Sequence, residues 1–122
     1  MNPLTPRQGE IWLVRFDPTT GAEIKKTRPA LVVSANDVGT LPLRIVAPIT
    51  GWDSAYANFP WFIPLRPDAA NRLSKLSGVD TFQVKSVSNE RFVERRGRIT
   101  RQQFLAVIRA ITLCLEPDDD LV

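Results

Sequence analysis

Five short runs of β-branched, aliphatic and aromatic residues, each cut off by turn-forming residues, precede one stretch with helical periodicity. That order leaves room for little except a small, strongly bent antiparallel sheet or partial barrel with a terminal helix packed against it. The first run, Glu10–Phe16, alternates Ile11, Leu13 and Arg15 against Trp12, Val14 and Phe16, and Asp17-Pro18-Thr19-Thr20-Gly21 stops it with turn chemistry. A second, Ala30–Ser34, is opened by Pro29, which is tolerated at a strand's first position, where its missing N–H is not needed. A third, Leu43–Ile49, follows a loop containing Asn36-Asp37 and Gly39. The fourth spans Phe59–Ile63, with prolines marking an edge strand, and the fifth spans Phe82–Val87. Pro67–Lys75 between them reads as a loop or one helical turn. Thr100 and Gln103 then match a capping box, and Phe104, Val107 or Ile108, Ile111 and Leu115 repeat on one helical face until Pro117 ends it. The fold class is mainly β with a C-terminal α-helix, in one domain over residues 1–122. Residues 1–8 are expected to form a loose arm and residues 116–122 an acidic tail.

Charge narrows the classes of partner. Four of the 13 acidic residues lie in the last seven positions, which leaves 16 basic against 9 acidic side chains over residues 1–115, a net of +7. A body that basic attracts polyanions by releasing their counterions. The chain has no histidine, which removes His-dependent triads, His metal sites and imidazole acid–base pairs. Its single cysteine, Cys114, forms no intramolecular disulfide and, in an apolar run, reads as a buried structural thiol. No apolar stretch approaches the roughly 20 residues of a membrane span, and Met1–Gln8 lacks a signal-peptide core, so a cytoplasmic protein is expected.

Two residues stand out as chemistry. Pro29 holds Arg28 extended at the mouth of a strand, where a planar guanidinium can grip a phosphate and stabilise charge developing on phosphorus; a solvated or ion-paired arginine is the plainer alternative. Thr50 is expected to end the third strand before Gly51, at a sheet margin and outside the ladder. There its hydroxyl donates to a phosphate oxygen or merely caps a turn. Trp52 and Trp61 suit base stacking, or a core. RNA brings its own nucleophile, the 2′-OH, so a ribonuclease of this kind needs neither metal nor protein nucleophile. With no Walker loop, cysteine cluster or acidic pair resembling a two-metal site, metal-free chemistry without a cofactor is expected.

Gln8-Gly9-Glu10-Ile11-Trp12-Leu13-Val14, Thr27-Arg28-Pro29-Ala30-Leu31-Val32-Val33, Ile45-Val46-Ala47-Pro48-Ile49-Thr50 and the late Gln83-Val84-Lys85-Ser86-Val87 together resemble the MazF/PemK/Kid toxin family, in order and spacing, over nearly the whole chain. The resemblance implies an SH3-like barrel, a homodimer, and metal-independent cleavage of single-stranded RNA at short sequences, leaving a 2′,3′-cyclic phosphate and a 5′-OH. It also implies a cognate antitoxin whose acidic, disordered tail fills the RNA groove, with operator DNA bound only through the antitoxin complex. Carried over position by position, the catalytic pair falls on Arg28 and Thr50. Glu23, Lys25, Lys26 and Thr27 fall on the loop beside the groove, and Gln83 falls on a glutamine near it; Trp52 and Asp80 complete the expected RNA contacts. One departure is Phe82, where some members carry an aspartate; Asp80, read as sharing a strand face with Phe82, is its expected substitute, with Glu23 as rival. The competing readings are a gyrase inhibitor of the same fold, like the CcdB toxins, and a basic barrel that binds RNA without cutting it.

Overall fold

The computed structural model describes residues 5–38 and 41–121. Seven strands, β1 (Glu10–Arg15), β2 (Thr27–Val32), β3 (Leu43–Gly51), β4 (Phe62–Leu65), β5 (Ser77–Asp80), β6 (Lys85–Ser88) and β7 (Phe92–Arg98), precede the helix α1 (Arg101–Cys114). They form one sheet in the order β4-β5-β3-β2-β1-β7, with β6 also on β3, and every pairing is antiparallel. The edge strands β4 and β7 do not meet, so the sheet is bent but unclosed.

The bend originates in β3. Its first half, Leu43–Val46, pairs with β6, and its last three residues pair with β5. Pro48, which has no N–H to give a ladder, sits at the handover. The curled sheet buries both faces, which explains why β1 is apolar on both of its alternations. Trp12, Val14 and Phe16 pack on one face with Ala30, Val32, Val46, Val87 and Phe92. Ile11, Leu31, Ala47, Ile49, Leu65 and Val79 face the other way, and α1 covers them with Val107, flanked by Phe104 and Ile111. The expected capping box is present: the Gln103 N–H donates to Thr100 Oγ1 at 3.1 Å and the Thr100 N–H to Gln103 Oε1 at 2.8 Å. No helix among the described residues is long and apolar enough to cross a membrane.

Several boundaries differ from the sequence reading. The fourth strand begins at Phe62, not Phe59, because Phe59 and Trp61 stack on each other in the preceding turn, ring centroids 4.9 Å apart. The expected fifth strand is split: Thr81–Gln83 is a 3-10 turn capped by Asp80, and only Lys85–Ser88 is extended. Two strands carry no legible alternation. β5 is four residues long, and β7 is interrupted by two bulges opposite Ile11/Trp12 and Leu13/Val14, which break the two-residue period. Leu115, expected on the core face of the helix, lies past its last turn and is 71% exposed. Cys114 is half-buried, its Sγ 3.8 Å from Thr81 Oγ1. Residues 1–4 of the expected arm and Gly39 lie outside the described residues. From Pro6 the chain is tied down: Arg44 Nε donates to the Pro6 carbonyl at 3.0 Å and the Gln8 N–H to Asn36 Oδ1 at 2.9 Å.

Gly97 fixes one further close approach. A Cβ there would collide with the Ala70 carbonyl oxygen and come within 2.7 Å of that of Asn71, both backbone atoms that cannot swing aside. Gly97→Ala is therefore expected to cost about 2–3 kcal/mol, read as a lowered denaturation midpoint at unchanged slope.

Candidate active site

The β2–β3 register pairs Ala30 with Pro48, Leu31 with Ala47 and Val32 with Val46. Continued two residues outward, the same register sets Arg28 level with Thr50. Both share the alternation of Ala30, Val32 and Val46, which belong to the Trp12 cluster. The two candidates thus stand on one face just beyond the last β2–β3 pair, Arg28 beside Val14 of β1 and Thr50 beside Gly78 of β5. Arg28 is half-buried, and its Nε makes one long contact, 3.4 Å, to the Lys25 carbonyl.

Thr50 does not lie outside the ladder as expected. It pairs with Gly78 of β5, a strand the sequence did not announce. Its Oγ1 is buried and has no hydrogen-bond partner among the described residues. A desolvated hydroxyl without a partner costs free energy that a bound acceptor would recover. Gly78 matters here for what it lacks. A Cβ at that position would approach the Trp52 ring to 3.0 Å, so the missing side chain lets the indole lie across β5 beside Thr50.

Asp80 shares this face, paired with Phe62 across from β4, but it does not share a strand face with Phe82. The intervening 3-10 turn abolishes the expected shared strand face, and Phe82 is 66% exposed. The Asp80 carboxylate turns inward, accepting from the Phe82 N–H at 3.1 Å and from Gln83 Nε2 at 3.1 Å. Gln83 Oε1 in turn accepts from the Ile24 N–H, and Lys85 Nζ lies 4.0 Å from Glu23 Oε2. Asp80 and Gln83 therefore act as a strut between β5 and the loop carrying Glu23, Lys25, Lys26 and Thr27. Glu23 also accepts from the Thr20 N–H at 3.0 Å, so its carboxylate organises its own loop. Lys25, Lys26 and Thr27 are exposed, with Lys26 in the left-handed region at φ 68°.

Burial pushes the Asp80 carboxyl above its ordinary value of 3.8, outweighing the hydrogen bonds from Phe82 and Gln83 that pull it down. A raised acid favours its protonated form in the fold. Its contribution to stability is then complete below the ordinary value and is lost as pH rises through the raised one. As pH rises from below 3.8 toward neutrality, the wild type should lose stability relative to an Asp80→Asn variant in denaturant titrations, and parallel pH profiles would contradict this.

Aromatic side chains continue outward from Thr50. Trp52 meets Tyr56 edge-on at 5.6 Å, Tyr56 stacks on Phe62 at 3.8 Å, and Trp61 links Phe62 to the exposed Phe82 at 6.4 and 5.9 Å. Tyr56 and Phe62 were missed as site residues, as was Gly78. Their placement depends on the β4–β5 pairing, and four polar or small residues in β5 give no periodic signal. Among the described residues no three His, Cys, Asp or Glu side chains converge as metal ligands.

The arrangement is a cation, an unpartnered hydroxyl and an aromatic strip on a small curled sheet. Comparison with known proteins places it in a class. The profile of the PemK-like, MazF-like toxins of type II toxin–antitoxin systems matches residues 7–115, and the chain belongs to that family. It is 31% identical over 113 residues to the endoribonuclease MazF9 of Mycobacterium tuberculosis, spanning 90% of this chain and 96% of the relative. The crystal structure of MazF from Deinococcus radiodurans superposes with a TM-score of 0.78 at 23% identity, over 93% of this chain and 98% of that one. The MazE–MazF complex from the same organism gives a TM-score of 0.72 at 22% identity, over 93% and 98%.

Proposed function

We propose that this chain is the endoribonuclease of its toxin–antitoxin pair, a single toxin domain that cuts single-stranded RNA at Arg28 and Thr50. The observation that carries this reading is the buried Thr50 hydroxyl, without a partner among the described residues, on the same strand alternation as Arg28. A non-bridging oxygen of the scissile phosphate accepts from Thr50 Oγ1. The substrate's 2′-oxygen attacks phosphorus as its proton passes to water, the bond to the 5′-oxygen breaks, and that oxygen takes up a proton from water. The products are a 2′,3′-cyclic phosphate and a 5′-OH. Arg28 holds the charge that builds on the equatorial oxygens and shares in the proton transfer by hydrogen-bonding the departing 5′-oxygen as it is protonated. Flanking bases stack on Trp52 and the aromatic strip, and Lys25, Lys26 and Thr27 meet the backbone.

Asp80 and Gln83 hold the loop that closes on the RNA. In this reading the protein works in the cytoplasm as a homodimer. An antitoxin with an acidic, disordered tail competes for the same cationic face and links the complex to operator DNA. The test is a long RNA incubated with purified protein and a chelator, with new 5′ ends sequenced. Discrete cuts bearing 5′-OH termini support the enzyme, protection without cuts supports an RNA-binding barrel, and neither points to the gyrase-type inhibitor.

A further inference from the structure

Away from Arg28 and Thr50, four arginines converge on an open pocket of about 360 Å³ between β7 and the loop at residues 68–72. Arg95, Arg96 and Arg98 come from the strand and Arg72 from the loop. We propose that this pocket is a second binding site, specific for the phosphodiester backbone of RNA that flanks the cleavage site; it rests on the ribonuclease reading above.

The pocket is built, not incidental. Asp68 Oδ1 accepts from the Ala70 and Asn71 N–H groups at 2.9 and 2.7 Å, and the fully buried Asn71 accepts from the Asp68 and Leu73 N–H groups at 3.0 Å each. Asn71 Nδ2 also donates to the Arg66 carbonyl at 2.8 Å. The loop is thereby locked and presents Arg72 from the left-handed region, at φ 55°. Its carbonyl at Ala70 accepts from the Arg98 N–H at 3.0 Å, and only a glycine at position 97 permits that contact. On the strand side, Ile11 pairs with Gly97 and Trp12 with Arg95, so Arg96 is the extra residue of a bulge, a feature that re-aims a side chain.

Charge is in excess there. Arg95 pairs with Glu10 at 2.8 Å and Arg96 with Glu94 at 2.9 Å, whereas Arg72 and Arg98 make no ion pair among the described residues. Planar guanidinium forks match phosphate oxygens in pairs. The remaining lining is Ala69, Ala70 and Gly97, with no aromatic or large aliphatic side chain. An acidic protein segment binds through apolar anchors as well as charge, and the pocket offers none; a phosphodiester chain needs only the cations.

The site is on the substrate's path by strand geometry. Arg98 faces Glu10 at the start of β1 and Arg28 faces Val14 near its end, four residues along and two strands across. Measured along the sheet, that is roughly 16 Å from strand rise and spacing, a span of a few nucleotides.

The test uses a 2′-O-methylated RNA, which cannot be cut, as a 30-nucleotide and a 6-nucleotide probe in fluorescence anisotropy with the full chain. Arg72→Ala with Arg98→Ala should weaken the long probe about tenfold at low salt and reduce the slope of log affinity on log salt by about 1.4, two single-strand phosphates' worth. The 6-nucleotide probe should bind as before. Arg109→Glu removes the same net charge from the exposed face of α1 and should leave the slope unchanged. Equal affinity and slope in the double variant, or an equal loss in Arg109→Glu, overturns the site while discrete RNA cuts by the wild type keep the ribonuclease reading. A wild type that neither binds nor cuts overturns both. Loss of binding to a poly-glutamate peptide with RNA binding intact assigns the pocket to an acidic protein and also overturns the proposal. Circular dichroism of each variant checks that it is folded.

Discussion

Arg28→Ala is expected to abolish site-specific RNA cleavage, with a loss of at least about 10³-fold in kcat/KM, and to leave the thermal midpoint where it is. The two halves of that result have separate causes. Arg28 is half-buried, and among the described residues its side chain makes one hydrogen bond, 3.4 Å to the Lys25 carbonyl, so its removal strands no buried polar partner there. Its proposed work is in the transition state, where a guanidinium fork meets charge that is absent from bound substrate. Arg28→Lys keeps the charge and loses the fork, and should recover little of the rate. A folded Arg28→Ala protein that cuts RNA at the wild-type rate removes the assignment.

Thr50→Val should separate function from stability more sharply still. The substitution keeps the β-branched shape that a strand position favours and deletes only the hydroxyl. In the free protein that hydroxyl is buried and unpartnered, so its loss should be neutral or stabilising by about 1 kcal/mol. Cleavage should nonetheless fall by about 10²-fold, because one donor to the scissile phosphate is gone. The pair of readouts is a denaturation midpoint and a cleavage rate on the same preparation. A Thr50→Val protein that is both less stable and fully active would show that the hydroxyl serves the fold and not the reaction.

The two residues assigned from sequence both sit deeper in the ladder than expected. Arg28 was expected just ahead of a strand opened by Pro29 and is instead the second residue of β2, paired with Val14 of β1, because Pro29 sits inside that strand and its missing N–H does not prevent the pairing with β1. Thr50 was expected outside the ladder and is inside it, since β5, its partner, is four residues of Ser, Gly, Val and Asp with no readable period. The same strand decides Asp80. From sequence alone, Asp80 and Phe82 look like neighbours on one strand face. In the fold Asp80 caps a 3-10 turn and accepts from Gln83, whose side-chain oxygen accepts from the Ile24 N–H, so the pair braces the loop at Glu23–Thr27.

By itself the sequence determined the mainly β class, the location of strands β1 to β3, the capped terminal helix, the excess of positive charge and the absence of imidazole. Each of these follows from side-chain type or from contacts a few residues apart. Tertiary structure alone decided that Arg28 and Thr50 share a face, that Trp52 lies against Gly78, and that Arg72 joins Arg95, Arg96 and Arg98 around one pocket. Those are consequences of pairing register and of bulges in β7. A shift of one residue in register turns every side chain to the other face, so such placements depend on the whole folded sheet and have no local trace in the chain.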